Sequence, residues 1–220
     1  MLFKTAKQYL ELLQYSGIKE IFKTPEENET VFDAEPENYS IEELREKYKN
    51  CEKCPLCKGR ICFVYGDGNA DADLMLIGEG PGYHENQTGH AFVGPAGQLL
   101  TKMLAAIKID RKDVYIANIV KCRPPGNRDP RPEEKKACLP YLLEQIDLIK
   151  PKVLLLLGKV AANTLLNTDL KMYQLRENTH VFRGITTFVS YHPSALLRHV
   201  EWKKPAWIDL QKLQKYYESL

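Results

Sequence analysis

No apolar run in the chain exceeds five residues, so nothing approaches the roughly 20 that an α-helix needs to cross a bilayer. The run from Val153 to Leu157 reads instead as a buried strand. No secretory leader is expected from the N-terminal residues: Lys4 and Lys7 sit among apolar residues, but Glu11 follows and no small-residue cleavage site appears. A cytoplasmic location is the expectation. Internal repeats and low-complexity tracts are absent, and net charge is nearly so, at +2. What is present is ordinary for a globular chain: 220 residues, 44% hydrophobic and 27% charged, which excludes disorder throughout and is enough to bury a core.

The small net charge hides an asymmetry. Residues 1–50 hold 7 Lys and Arg against 11 Asp and Glu, or −4, so residues 51–220 hold 24 against 18, or +6. The basic part suits a polyanionic partner. Six cysteines in a chain of a reducing compartment point to metal ligation or chemistry rather than to structural disulfides.

Leu2 to Ile21 carries apolar residues near helical spacing, and Thr24 to Asn38 is an acidic, Pro- and Asn-rich linker. Residues 1–39 are therefore expected to form an extension of helix plus linker, with the main domain spanning 40–220. Ser40-Ile-Glu-Glu has the form of a capping box opening a helix toward Tyr48. Strands are expected at Asp73 to Ile77, Val114 to Val120, Val153 to Leu157 and Thr186 to Tyr191. Helices are expected at Ala96 to Ile107, Pro132 to Ile149, Lys159 to Leu166 and Trp207 to Tyr217. This alternation predicts a three-layer α/β/α fold around a mostly parallel, twisted sheet of about four strands. Sites in such sheets lie beyond the carboxyl ends of the strands, where the loops after Ile77, Ile116 and Ser190 should converge.

Cys51 and Cys54 have chelating C-x2-C spacing, and Cys57 and Cys62 follow closely. All four could share one metal, but the last gap and Phe63 depart from the bacterial ferredoxin pattern, and Cys57-x4-Cys62 fits a zinc ribbon only loosely. Cys122 and Cys138 bracket the Pro-rich loop Arg123-Pro-Pro-Gly-Asn-Arg-Asp-Pro-Arg-Pro. Any one of these thiols could also pack as a small hydrophobe. Gly78-Glu-Gly-Pro-Gly after a strand lacks the spacing of either common phosphate-binding loop.

Its continuation, Tyr83-His-Glu-Asn-Gln-Thr-Gly-His-Ala-Phe-Val-Gly-Pro-Ala-Gly-Gln-Leu-Leu, is more specific. With Cys51-x2-Cys54, Ile116-Ala-Asn-Ile-Val-Lys-Cys-Arg-Pro-Pro-Gly-Asn-Arg through Cys138, and His192-Pro-Ser-Ala-Leu-Leu-Arg, it resembles the family 4, iron-sulfur uracil-DNA glycosylases. The resemblance covers about Cys51 to Tyr217. It implies a DNA repair enzyme that hydrolyses uracil from single- or double-stranded DNA, releasing free uracil and leaving an abasic site. It further implies a four-iron, four-sulfur cluster on Cys51, Cys54, Cys122 and Cys138, with Cys57 and Cys62 as spectators.

By the same resemblance, Phe92 stacks on the extruded base and Asn118 reads O4 and N3-H of uracil. Glu85 walls off the 5-methyl of thymine, and His192 stabilises charge developing at O2 of the leaving base. Gly80 lies in the pocket where family 1 enzymes carry an aspartate, which leaves Glu79 as the candidate to activate water. Leu196 and Leu197 belong to an intercalating loop, with Leu196 at the wedge position, and Ser194 and Arg198 reach phosphate. Lys121, Arg123, Arg128 and Arg131 are further phosphate candidates. His90-Ala91 replaces the family's usual Arg-Pro. A noncatalytic iron-sulfur protein that binds uracil-containing or single-stranded DNA, and a zinc-binding nucleic-acid module, are the competing readings. A monomer is expected, since nothing in the sequence suggests a symmetric interface.

Overall fold

A computed structural model describes residues 39–220. The expected helix at Leu2 to Ile21 and the acidic linker lie outside the described residues. The strands are β1 (Asp67–Gly68), β2 (Leu74–Gly78), β3 (Tyr115–Asn118), β4 (Val153–Leu157), β5 (His180–Phe182) and β6 (Ile185–Ser190). The helices are α1 (Ile41–Tyr48), α2 (Tyr83–Thr88), α3 (Pro95–Ala106), α4 (Pro132–Ile149), α5 (Lys159–Leu166), α6 (Met172–Glu177), α7 (Pro193–Arg198) and α8 (Lys203–Tyr217). None is long and apolar enough to cross a membrane among the described residues.

The sheet has six strands in the order β1-β3-β2-β4-β6-β5. Its four central strands pair in parallel, as the expected βα alternation requires. The expected count of four is corrected by two short antiparallel edge strands, β1 on β3 and β5 on β6. A tight turn joins β5 to β6 through Arg183 and Gly184, at φ 50° and 84°, the left-handed pair that matches hairpin twist.

Alternation along the strands divides the core in two. Met75, Ile77, Leu154 and Leu156 face one layer, with Leu44 of α1, Leu142 and Ile146 of α4 and Leu165 of α5. Leu74, Leu76, Val153 and Leu155 face the other, with Leu100 and Leu104 of α3 and Leu210 and Leu213 of α8. Burial on both faces explains why these strands read as continuous apolar runs. The capping box at Ser40 is present: Ser40 Oγ accepts from Glu43 N at 3.2 Å, and Glu43 Oε2 accepts from Ser40 N at 2.7 Å.

Candidate functional site: a base-sized pocket at the strand ends

β2, β3, β4 and β6 all deliver their carboxyl ends to a cavity of about 520 Å³, lined by Glu79, Gly80, Glu85, Phe92, Asn118 and His192 among others. This is the convergence that parallel topology dictates.

Asn118 closes β3 and is 1% exposed. Its Oδ1 has no hydrogen-bond partner, although a buried carboxamide oxygen normally has one. Gly78, at the end of the neighbouring strand, makes the room: a Cβ there would meet Asn118 Oδ1 at 2.5 Å and Phe92 Cζ at 2.7 Å.

Phe92 is held in the left-handed region at φ 52°, a costly conformation for an aromatic residue. Carboxylates grip the chain on both sides of it. Asp67 accepts from the Ala91 amide and contacts His90 Nδ1 at 2.8 Å, and Arg111 Nη2 donates to the Ala91 carbonyl at 2.7 Å. On the other side Glu85 Oε1 accepts from Val93 N and Gly94 N, both at 2.9 Å, while its Oε2 accepts from Gly82 N at 3.1 Å. Glu85 is thus buried and immobilised by three amides. Gly97 completes the arrangement, since a Cβ there would meet the Phe92 carbonyl at 1.7 Å.

The Phe92 ring lies 5.5 Å from that of His192. Ser194 N donates to His192 Nδ1 at 3.2 Å and Ser194 Oγ lies 2.7 Å from the same nitrogen, capping α7. Dense surroundings, with Arg198 nearby, push the His192 pKa down to about 4 although its edge reaches the pocket. The imidazole is therefore neutral near pH 7, and with Nδ1 accepting, the hydrogen-bond pattern assigns its proton to Nε2. Gly158 abuts it: its φ is 91°, and a Cβ would stand 3.0 Å from His192 Cβ. Beneath this strand end, Asp209 accepts from Ser190 Oγ at 2.8 Å and pairs with Arg176 at 2.7 and 2.9 Å.

Glu79 is half-buried, and desolvation, with Asp129 adding repulsion, raises its pKa to about 7. A Cβ on Gly80 would meet Val120 Cγ2 at 2.7 Å, so any side chain there requires Val120 to shift.

The structure redraws three of the expected contacts. Leu196 is 2% exposed and packs in the core, whereas Leu197 is 48% exposed, because α7 turns positions 193 and 196 inward together. Leu196 therefore cannot be the wedge in this conformation, and Leu197 is the side chain displayed. Lys121 is fully buried, donating to the Asn118 carbonyl and to Gln145, so it reaches no phosphate. Arg128 is committed to a two-pronged pair with Glu134 at 2.7 and 2.8 Å. Arg123 remains half-buried over the Tyr83 ring at 5.3 Å, and Arg131, Ser194 and Arg198 keep solvent access.

The six cysteines are all free thiols. Among the described residues no group of three or more His, Cys, Asp and Glu is gathered closely enough to hold a metal ion. Cys51, Cys54, Cys122 and Cys138 nevertheless share one neighbourhood, which Cys57 adjoins through Cys54. Arg60 Nη1 donates to the Cys51 carbonyl at 2.6 Å and lies 3.6 Å from Cys122 Sγ. Tyr141 donates to Cys51 Sγ at 3.1 Å, and Lys121 N to Cys138 Sγ at 3.2 Å. Burial raises Cys122 to about 11 and Cys138 to about 12, and Cys54 adds repulsion to both. Cys62 stands elsewhere, against the Gln87 carbonyl at 3.5 Å.

Sequence reasoning missed the lining residues Lys159, Met172, Tyr191 and Trp202. The Gly after an apolar strand run was the available signal for Lys159, which opens the next helix. Comparison with known proteins agrees with the geometry. The pattern of the uracil DNA glycosylase superfamily matches residues 65–211. The type-4 uracil-DNA glycosylase of Pyrobaculum aerophilum is 41% identical over 169 residues, 72% of this chain and 85% of that protein. That of Thermotoga maritima is 41% identical over 189 residues, 82% of this chain and 98% of its own length. That of Archaeoglobus fulgidus is 38% identical over 182 residues, covering 79% and 92%. The chain therefore belongs to the uracil-DNA glycosylase superfamily, within its type-4 branch.

Proposed function

We infer that this protein is a DNA repair glycosylase that hydrolyses the N-glycosidic bond of uracil in DNA, yielding free uracil and an abasic site. The observation that carries the reading is the orphaned, buried Asn118 Oδ1 at a cavity that Phe92 and the neutral His192 imidazole also line. An unmatched acceptor that is itself buried selects a ligand that brings a donor. Uracil offers N3-H to Oδ1 and O4 to the amide nitrogen, while cytosine presents the opposite pattern and leaves both groups unpaired.

Phe92, fixed by its two carboxylate clamps, supplies the stacking face for the flipped base. Glu85, unable to turn away from its three amides, forms a rigid wall toward the position where thymine carries its methyl. As the glycosidic bond breaks, negative charge grows on uracil O2 and His192 Nε2-H donates to it. A neutral donor serves here without a proton being lost, and one such preorganised donor supplies roughly 3 kcal/mol. Glu79, half ionised near neutrality, is the base that accepts a proton from the attacking water, since its pKa lies near the operating pH. Leu197 enters the stack where the nucleotide has left, and Ser194, Arg198, Arg123 and Arg131 hold phosphates.

Cys51, Cys54, Cys122 and Cys138 would hold a four-iron, four-sulfur cluster. Two buried thiols, Cys122 and Cys138, and two half-buried ones packed against the core, Cys51 and Cys54, all joined in no disulfide, fit that four-thiolate donor set. When bound, the cluster supplies a cross-link between the segment before β1 and the loop leading into α4. We place the protein in the cytoplasm as a monomer, with residues 1–39 as an extension to the catalytic domain.

Alkaline cleavage of end-labelled strands that differ only by uracil or thymine tests the reading. Cleavage at uracil alone is expected, and Asn118→Ala and His192→Ala should abolish it. An intact, folded protein that binds the uracil strand without cleaving it would instead be a noncatalytic binder.

A further inference from the structure

A stack of planar groups runs from beneath the pocket to the surface. Arg176 lies over the Tyr191 ring at 4.4 Å, Tyr191 stacks on Trp202 at 4.8 Å and 22°, and Trp202 stacks on His199 at 4.2 Å and 19°. The inner end is rigid, because Arg176 is fixed by Asp209 at 2.7 and 2.9 Å and Asp209 is fixed in turn by Ser190. The outer end is open. His199 has a side chain 44% exposed, and Trp202 is its one ring partner among the described residues. Tyr191 and Trp202 also line the cavity that holds His192, so the stack is continuous with the pocket wall.

Tyr191 and Trp202 each already carry two planar partners, which leaves His199, with one, as the next step of the ladder. Around it stand exposed Arg198, Lys203 and Lys204, suited to phosphates, and exposed Leu197 two residues earlier. Glu201 lies 3.4 Å from His199 Nδ1, along the ring edge. Planar groups at such spacing extend by accepting another flat π-system, and sequence-tolerant base binding uses this geometry beside cations.

We propose that the outer face of His199 is a second base-binding site, which stacks on an unpaired nucleobase next to the extruded nucleotide while Arg198, Lys203 and Lys204 hold its phosphates. The proposal rests on the uracil-DNA reading and adds a subsite to it. It gives the enzyme a grip on the DNA beside the lesion that does not depend on the lesion base.

The test uses the full-length holoprotein and oligonucleotides with a stable abasic analogue in place of the uracil nucleotide. The fluorescent base 2-aminopurine, whose emission falls on stacking, is placed 5′ of the analogue, 3′ of it, or opposite it in a duplex. In at least one placement emission should fall on binding by the unaltered protein. His199→Ala should restore the emission and weaken binding about tenfold, which is the scale of one stacked base. His199→Phe should keep both properties and His199→Leu should keep neither, which separates stacking from a structural role of the side chain. Emission unaffected by His199→Ala in all three placements, or Leu serving as well as Phe, overturns the proposal. Uracil cleavage is measured in parallel. Cleavage without a His199-dependent signal overturns this subsite alone, and a His199-dependent signal without cleavage sustains it while overturning the hydrolase.

Discussion

Asn118 and Glu79 depart from ordinary solvation in opposite senses, and each departure sets an expectation. The Asn118 oxygen is buried without a partner. Asn118→Ala removes the groups that distinguish uracil from cytosine, so kcat/KM on uracil should fall by about a thousandfold or more, while thermal stability holds or rises. Steady-state cleavage and a melting curve measure the two. Glu79 has a pKa raised to about 7, against about 4.5 for an unperturbed glutamate. The folded protein therefore holds a proton there that the unfolded chain has lost between those values, and its stability falls as pH rises through that window. The rate should move the other way, climbing with pH to a plateau above about 7 as the base form fills. Glu79→Gln should flatten the rate profile, lower the plateau by about 10²-fold, and melt higher than the unaltered protein at pH 8 but not at pH 5. His192, neutral down to a pKa of about 4, contributes no inflection to the profile between pH 5 and 8.

At the scale of elements, legibility followed chemistry. β2, β3 and β4 could be read because burial on both faces writes them as apolar runs, β6 by its alternation, and α5 because Gly158 and Asn167, both at positive φ, punctuate its ends. β1 has two residues and β5 three, too few for any period to register, although the Arg183-Gly184 turn was a usable hairpin signal. α2, Tyr-His-Glu-Asn-Gln-Thr, carries no apolar stripe, and what fixes it is the Glu85 carboxylate on the Gly82 amide. The place of Asn118 and His192 at the cavity was legible from their motifs. The roles of adjacent Leu196 and Leu197 were not, since only the phase of α7 decides which one points outward. That phase makes a discriminating pair of variants. Leu196→Ala should cost about 2–5 kcal/mol of stability, as cavity-forming substitutions in a packed core do. Leu197→Ala should leave the melting temperature unchanged within about a degree of error and slow excision from duplexes far more than from single strands, because only a duplex must be held open. Denaturation curves and paired cleavage assays on the two substrates would show the reverse assignment if α7 turned the other way.

The whole molecule is organised by two long-range ties to one sheet. Asp209 on α8 and Arg176 on α6 secure the end of β6 behind His192. On the other side, Tyr141 of α4 donates to Cys51 Sγ in the segment before β1, and Lys121 donates from its side chain to the Asn118 carbonyl and from its amide to Cys138 Sγ. Cys122 and Cys138, buried thiols with raised pKa values, make a poor core in the metal-free state, because they neither pack like leucine nor ionise cheaply. Held as thiolates on a cluster, Cys122 and Cys138 would no longer carry that cost. Cys122→Ser and Cys138→Ser should therefore lose the brown colour and the bound iron together, lower the melting temperature, and loosen hydrogen-exchange protection at residues 116–122. Cys62→Ser should change none of these, since its thiol faces the Gln87 carbonyl. Iron content, visible absorption and exchange on the same preparations distinguish the outcomes. Colour retained in Cys138→Ser would remove Cys138 from the ligand set, and colour lost in Cys62→Ser would put Cys62 into it. Because the tie reaches Asn118 through backbone and a buried lysine, cluster loss should raise KM for uracil strands before it lowers kcat, the mark of a displaced reading group with the leaving-group donor still in place.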